Sequence, residues 1–397
     1  MNQALPLSSD FDLFDTLAHS QNSADPYPFY RWLRSHHPVY VNPDGIAYVS
    51  TYEHSALLGS PDVRDNLEDD EQSDTLRLFN RTIIKTVPPR HTDLRRVGGE
   101  AFRRGFLLET GRQMQRAADE LADRLVRTLK RDGSADLNAE FSYPFSQEAA
   151  RIFFGLPEED FDMLAALPSR MFKALYPKTD PEGLRDADDA SRFLYAYLED
   201  AVRHRRFRPG GAFDRIVEAA DGSLADDVVH LCWLMWFGSY NSPLAAMDLA
   251  LLTLIEEPQT KGALLADPKA WVDEALRYRS AHVINSANLT TRRELTVGDV
   301  TLPAQAPIRF LLAAINRDEM AWPNAEVFDP SRDDGFRHVA FSRGPHTCIA
   351  KQFASIEVGA AVTALASRVP RLSLAGEPAW STYTTQRLCT AFPVKLH

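Results

Sequence analysis

Apolar residues recur at three- and four-residue intervals over long stretches of this chain, at 93–130, 140–155, 185–206, 224–257, 260–280 and 349–369. That spacing gathers them on one side of an α-helix, so it predicts helices there. Alternating or β-branched pieces are short, at 39–41, 47–50, 289–297, 300–302, 308–312 and 388–396, and predict strands. The expected fold class is mainly α with a small β-rich portion, drawn from 36–60, 289–312 and 388–396. No Gly/Ser-rich linker, repeat or low-complexity tract divides the 397 residues, so 1–397 is expected to form a single domain.

One stretch, 228–247, carries no Asp, Glu, Lys or Arg and is nearly as long as a membrane span. Asn241, two serines and Pro243 within one turn, followed by Asp248, favour a buried central helix instead. The first ten residues lack a basic start followed by an apolar core, so neither signal peptide nor membrane anchor is expected. Three cysteines give no disulfide framework. The expectation is a cytoplasmic protein. A net charge of −11 gives no reason to expect nucleic acid or an anionic membrane as partner.

Chemistry concentrates around Cys348, in Phe341-Ser-Arg-Gly344-Pro-His346-Thr-Cys348, just ahead of the apolar stretch 349–369. A thiol in the first turn of a helix meets the positive end of the macrodipole, which favours the thiolate, the form that ligates metal. Gly344 lets the backbone approach a flat ligand, Phe341 can cover the sulfur side, and His346 can donate to an acidic group at the ligand's edge. A cysteine so placed can hold a haem iron. Cys232 and Cys389, in apolar surroundings, read as small buried hydrophobes.

The segment resembles the haem-binding loop of the cytochrome P450 monooxygenases. Glu274-Ala-Leu-Arg277 is similar to that family's E-x-x-R helix and Phe328-Asp-Pro-Ser-Arg332 to its F-x-x-x-R segment. The resemblance implies a Glu274–Arg277–Arg332 ion triad bracing the loop, a cytochrome P450 fold, and haem b (iron protoporphyrin IX) bound through Cys348. Pro88-Pro-Arg-His91-Thr-Asp-Leu-Arg95-Arg96 is similar to the segment whose His and first Arg bind haem propionates. His91 and Arg95 are four apart and can reach one anion together.

Three departures stand out. Gly238-Ser-Tyr-Asn241-Ser242 aligns with the family's A/G-G-x-D/E-T, where an acid and an alcohol assist proton delivery to bound oxygen. Ser242 can still hydrogen-bond, but Asn241 cannot donate a proton and be restored by solvent. Pro243 lacks an amide hydrogen, so the Ser239 carbonyl loses its helical partner and a bend is expected. Ala350 replaces a common glycine, which should be tolerated. Finally, the family's usual propionate-binding arginine is missing, with Leu289 at the likeliest equivalent position and His282 or Arg292 as candidate substitutes.

The resemblance implies oxidation of a small, largely apolar organic substrate with dioxygen, with secondary metabolism as a setting, using electrons from a ferredoxin and ferredoxin reductase. Phe79, Ile83, Ile84, Tyr240, Leu244, Val283, Ile284 and Thr384 are expected to line the substrate pocket. Arg95, Arg96, Arg103, Arg104, Arg337, Arg343 and Lys351 cluster where a redox partner would dock. Two alternatives stay open at this point: an atypical haem-thiolate enzyme for coupling, dehydration or peroxide-driven chemistry, given Asn241-Ser242, and a haem-based ligand or gas sensor without turnover.

Overall fold

The computed structural model describes residues 13–18, 24–65, 73–175, 179–220, 224–285, 288–369, 371–381 and 385–397. The helices that position the site are α1 (Tyr27–His36), α2 (Asp74–Asn80), α3 (Arg90–Gly99), α4 (Arg104–Asp132), α5 (Tyr143–Phe154), α6 (Pro181–Arg203), α7 (Ala225–Gly238), α8 (Asn241–Glu256), α9 (Lys261–Ala266), α10 (Pro268–Tyr278) and α11 (Lys351–Arg368). The mainly α expectation holds.

Helix α4 shows why the helical period was legible. Leu107, Met114, Leu121, Leu125 and Leu129 fall on one buried stripe, and α11 packs along it. The helix ends where Gly133 turns left-handed at φ 79°, its N–H bonding the Leu129 carbonyl. Glycine adopts that conformation without a Cβ penalty. Helices α7 and α8 lack such a stripe because they are covered on nearly every side, with the Trp233 and Trp236 indoles donating to the Ser191 and Leu164 carbonyls at 3.3 and 3.0 Å.

Several expected helices are interrupted. The 224–257 helix is two, broken at Ser239–Tyr240, where Tyr240 has φ −112° and ψ −74°. Pro243 sits in the first turn of α8, where no N–H is required, and the Ser239 hydroxyl binds the Trp236 carbonyl at 2.7 Å. The bend expected from Pro243 is therefore a full break. The 93–130 stretch divides at the Glu100–Phe102 turn, after Gly98-Gly99. The 260–280 stretch divides at Asp267, whose carboxylate caps α10 by accepting from Ala270 N–H at 3.0 Å.

The strands β1 (Val39–Val41), β2 (Ala47–Val49), β3 (Val63–Asp65), β4 (Leu289–Thr291) and β5 (Pro307–Phe310) form one sheet in the order β1-β2-β5-β4-β3. Only the β2–β5 pair is parallel, with Ala47 opposite Ile308. This sheet unites 36–60 with 289–312. The 388–396 run goes elsewhere: Pro393–Leu396 pairs with Ser134–Asp136 and Leu372–Leu374, and Cys389–Ala391 with Ala379–Trp380. The 289–297 run is two strands, since Leu295–Val297 pairs with Val300–Leu302. Among the described residues no helix is long and apolar enough to cross a membrane.

Candidate active site

Cys348 lies at the end of a tight loop that its own N–H closes onto the Phe341 carbonyl at 2.9 Å. Within it Ser342 and Gly344 both have positive φ, 61° and 80°. What the missing side chain of Gly344 admits here is a neighbouring stretch of protein. A Cβ there would stand 2.4 Å from Gly59 Cα, in the Glu53–Gly59 turn that follows β2. The side of the loop is held to the same turn by Arg343, whose Nη1 donates to Ser55 Oγ at 3.1 Å.

Cys232 and Cys389 are buried, whereas Cys348 is exposed. Its expected place in the first turn of a helix needs correction too, because α11 begins at Lys351. Burial by the surrounding protein pushes the Cys348 thiol above its ordinary value, against the opposing pull of the Ala350 N–H, Arg95 and Lys351. A metal ion bound to this sulfur would favour the thiolate.

Helix α3 crosses next to this cysteine. A Cβ on Gly98 would lie 3.1 Å from Ile349 and 3.2 Å from both Leu231 and Met235, so α3, α7 and the residue after Cys348 meet with no space between them. From α3, Arg95 Nη1 donates to the Thr347 carbonyl at 2.6 Å, and the His91 ring lies 4.3 Å from that of His346. His91 Nε2 is buried and unpartnered. Desolvation, then His346 and Arg95, lowers the His91 pKa to about 4, and burial followed by Arg95 lowers that of His346. The Arg95 guanidinium thus disfavours charge on both imidazoles and stands beside an orphan nitrogen, an arrangement that an anion would relieve.

The expected ion triad is present and buried. Glu274 accepts from Arg277 Nε at 2.7 Å and Nη2 at 2.8 Å, from Arg332 Nε at 3.2 Å and from the Asp329 N–H at 2.9 Å. Arg277 Nη1 also donates to the carbonyls of Asn316 and Ala325 at 2.8 and 3.0 Å. The Asn316 side chain continues the network by accepting the Val339 N–H at 2.7 Å, and the Val339 carbonyl accepts from Ser342 in the cysteine loop at 2.8 Å. This is the physical connection from triad to sulfur.

At the α7–α8 break Gly238 is exposed, and a Cβ there would meet nothing within 4 Å. Asn241 is buried and Ser242 partly exposed. Ser242 Oγ is 3.1 Å from His282 Nε2 and accepts from Gln386 Nε2 at 2.9 Å. His282, considered for a propionate, instead belongs to this cluster, and burial lowers its pKa to about 4. Arg292, the other candidate, is exposed in the turn after β4, its N–H bonded to the Asp62 carbonyl at 2.8 Å. Leu289 is buried in β4, and its carbonyl accepts from Arg309 Nη1 at 3.2 Å, so a guanidinium does reach this backbone from the neighbouring strand.

The expected pocket residues scatter. Phe79 packs edge-on against Phe237 and shares the helical core with Ile83, while Ile84 packs against that core. Val283 and Ile284 join a separate cluster with Tyr30 of α1 and Tyr48 of β2. Tyr240 turns its ring to Tyr143 at 5.5 Å, Leu244 is buried, and Thr384 lies outside the described residues. A polar cavity of about 540 Å³ is bounded by Arg81, Lys85, Arg90, Asp226, Asp227 and His230 among others. It includes none of Cys348, Gly238, Ser242 or His282, so it is separate from the candidate chemistry.

An exposed sulfur, an unpartnered nitrogen among cationic groups and open space beside Gly238 together fit a flat, anionic, metal-bearing ligand. In a helical fold braced by the Glu274 triad, these features define a haem-thiolate protein. A sequence model of the family Cytochrome P450 matches residues 268–368. The chain is similar to cytochrome P450 BJ-3 of Bradyrhizobium diazoefficiens, 28% identical over 414 residues, covering 97% of this chain and 96% of that one. It is 31% identical to cytochrome P450-SU2 of Streptomyces griseolus over 301 residues, 75% and 72% of the two chains. With the vitamin D(3) 25-hydroxylase of Pseudonocardia autotrophica it shares 28% over 367 residues, 88% of each chain. The crystal structure of CalO2 superimposes with a TM-score of 0.84 at 24% identity, covering 98% and 99% of the two chains. The chain belongs to the cytochrome P450 family, and it is an oxidoreductase of the monooxygenase type with a haem-thiolate cofactor.

Proposed function

We propose that this protein is a monooxygenase that inserts oxygen into a small, largely apolar organic molecule, within secondary metabolism, using electrons from a ferredoxin and its reductase. Haem b would be held by the Cys348 sulfur, with His91, Arg95 and His346 at its carboxylates. Bound there, the haem supplies activation of dioxygen. The chain's own part is to fix the sulfur through the triad network, to neutralise the carboxylates, and to present Ser242 and Asn241 where they orient a proton donor. Leu244 and the uncovered backbone at Gly238 bound the substrate. A relative named as a hydroxylase of vitamin D(3) supports a hydrophobic substrate class.

The observation that carries this reading is the juxtaposition of the exposed Cys348 with the Arg95 guanidinium and the His91–His346 pair, whose Nε2 on His91 has no partner. The reduced, carbon-monoxide-bound protein should show the red-shifted Soret band of thiolate ligation. Cys348→Ser should abolish that band, whereas Cys232→Ser and Cys389→Ser should retain it. A nitrogen-ligated spectrum in the unaltered protein would end the proposal.

A further inference from the structure

Asn241 leaves this chain without the carboxylic acid expected beside the alcohol, yet Ser242 has two other partners. His282 Nε2 and Gln386 Nε2 lie 3.1 and 2.9 Å from its Oγ, and 3.4 Å from each other. Both come from segments locked by main-chain bonds. His282 and Gln386 form an antiparallel bridge, Val283 N–H bonds the Thr385 carbonyl at 3.0 Å, and Arg387 N–H bonds the Ala281 carbonyl at 2.9 Å. Gln386 is buried at 4% exposure, while Ser242 and His282 each keep part of their surface uncovered.

Hydrogen counting defines what the cluster can do. The Gln386 amide donates to one lone pair of Oγ, and Ser242 has a single O–H. That hydrogen points either at His282 Nε2, which must then be bare, or away from it, in which case Nε2–H can donate to Oγ. The position of the imidazole proton therefore sets the direction of the Ser242 hydroxyl. Burial alone lowers the His282 pKa, and among the described residues no carboxylate contributes to it.

We propose that His282 replaces the missing acid, holding and resupplying the proton that Ser242 delivers to an acceptor bound against its uncovered side. When Oγ–H passes its proton outward, Nε2–H refills Oγ, and Nδ1 takes a proton from water. One proton enters and one leaves with no redox change, and the ring, left in the opposite tautomer, returns to the first by proton exchange with solvent before the next delivery. His282 acts through Ser242 and is a positioning residue; Gln386 fixes the hydroxyl that both share. This inference rests on the monooxygenase reading above.

The test uses haem-loaded protein whose thiolate spectrum has been established first, so failure of the family chemistry is separated from failure of the relay. In 15N-histidine spectra of the diamagnetic carbon-monoxide complex, the His282 Nε2 signal should shift in Ser242→Ala. An unmoved signal overturns the hydrogen bond on which the relay stands. In turnover with ferredoxin and reductase, His282→Gln should lower product formed per electron consumed on the order of tenfold or more, with hydrogen peroxide making up the difference. Combining it with Ser242→Ala should add little, because the two act as a unit. Asn241→Asp in the His282→Gln background should restore product yield, a rescue that a purely structural role would not give. His282→Phe serves if the glutamine variant folds poorly. Unchanged yield in both His282 variants, or fully multiplicative losses in the double variant, overturns the relay.

Discussion

Arg277 is fully buried and distributes five hydrogen bonds: two to Glu274 and one each to the carbonyls of Asn316, Ala325 and Val327. A buried ion pair is weak grounds for stability in itself, since desolvation offsets much of the attraction, but removing one partner strands the other charge. Arg277→Met should therefore destabilise the protein by about 3–5 kcal/mol in chemical denaturation. Arg277→Lys should rescue little, because an ammonium cannot serve a carboxylate and three carbonyls from one plane. These charges could be read from sequence because Glu274 and Arg277 share a helix at a fixed spacing. The cluster at Ser242 could not: its members are 40 and 144 residues away, and Gln386 offers no motif. His282 did carry a signal, as the sole histidine in the otherwise uncharged 280–291 stretch, but spacing alone suggested a propionate.

At the scale of elements, periodicity succeeded where a helix has one wet side and failed where it has none. Helices α4, α6 and α11 were anticipated, whereas the division between α7 and α8 hid in a stretch apolar on all sides. Helix α2, only seven residues long, was too short for its period to register. The break has its own testable consequence. Because a methyl group on Gly238 meets no protein atom within 4 Å, Gly238→Ala should change thermal stability by less than about 1 kcal/mol. The same methyl intrudes on the proposed substrate side, so spectral titration should show weakened binding of apolar ligands. A large loss of stability with unaltered binding would contradict the open space at this break.

Across the whole molecule, buried titratable groups set a pH profile. His91 and His282 have pKa values lowered to about 4 and His338 to about 3, each chiefly by burial, so their stabilising contribution is present above about 6.5 and lost as pH falls towards those values. Asp248 and Glu357, raised by burial to about 7 and about 8, act oppositely: the fold loses stability as pH rises through the interval between their unfolded and folded values. Above pH 6.5 only the acids titrate, so denaturation midpoints should decline up to about pH 8. Asp248→Asn with Glu357→Gln should flatten that decline. Surface charge gives a separate test. Arg103 and Arg337 are already paired with Glu100 and Asp334, leaving Arg96 and Arg104, both exposed, as the stronger attraction for an acidic ferredoxin. Stopped-flow reduction should slow steeply with salt, and Arg96→Glu with Arg104→Glu should slow it more than Arg103→Glu. The meeting of Gly59 and Gly344 reaches furthest across the protein. With bare main chain on both sides, the turn after β2 and the sulfur-bearing loop share one wall, and a side chain added at Gly344 would push the two apart. Attempts to retune the sulfur's surroundings by design are therefore better begun at Phe341, whose ring lies 5.7 Å from that of His338, than at this glycine contact.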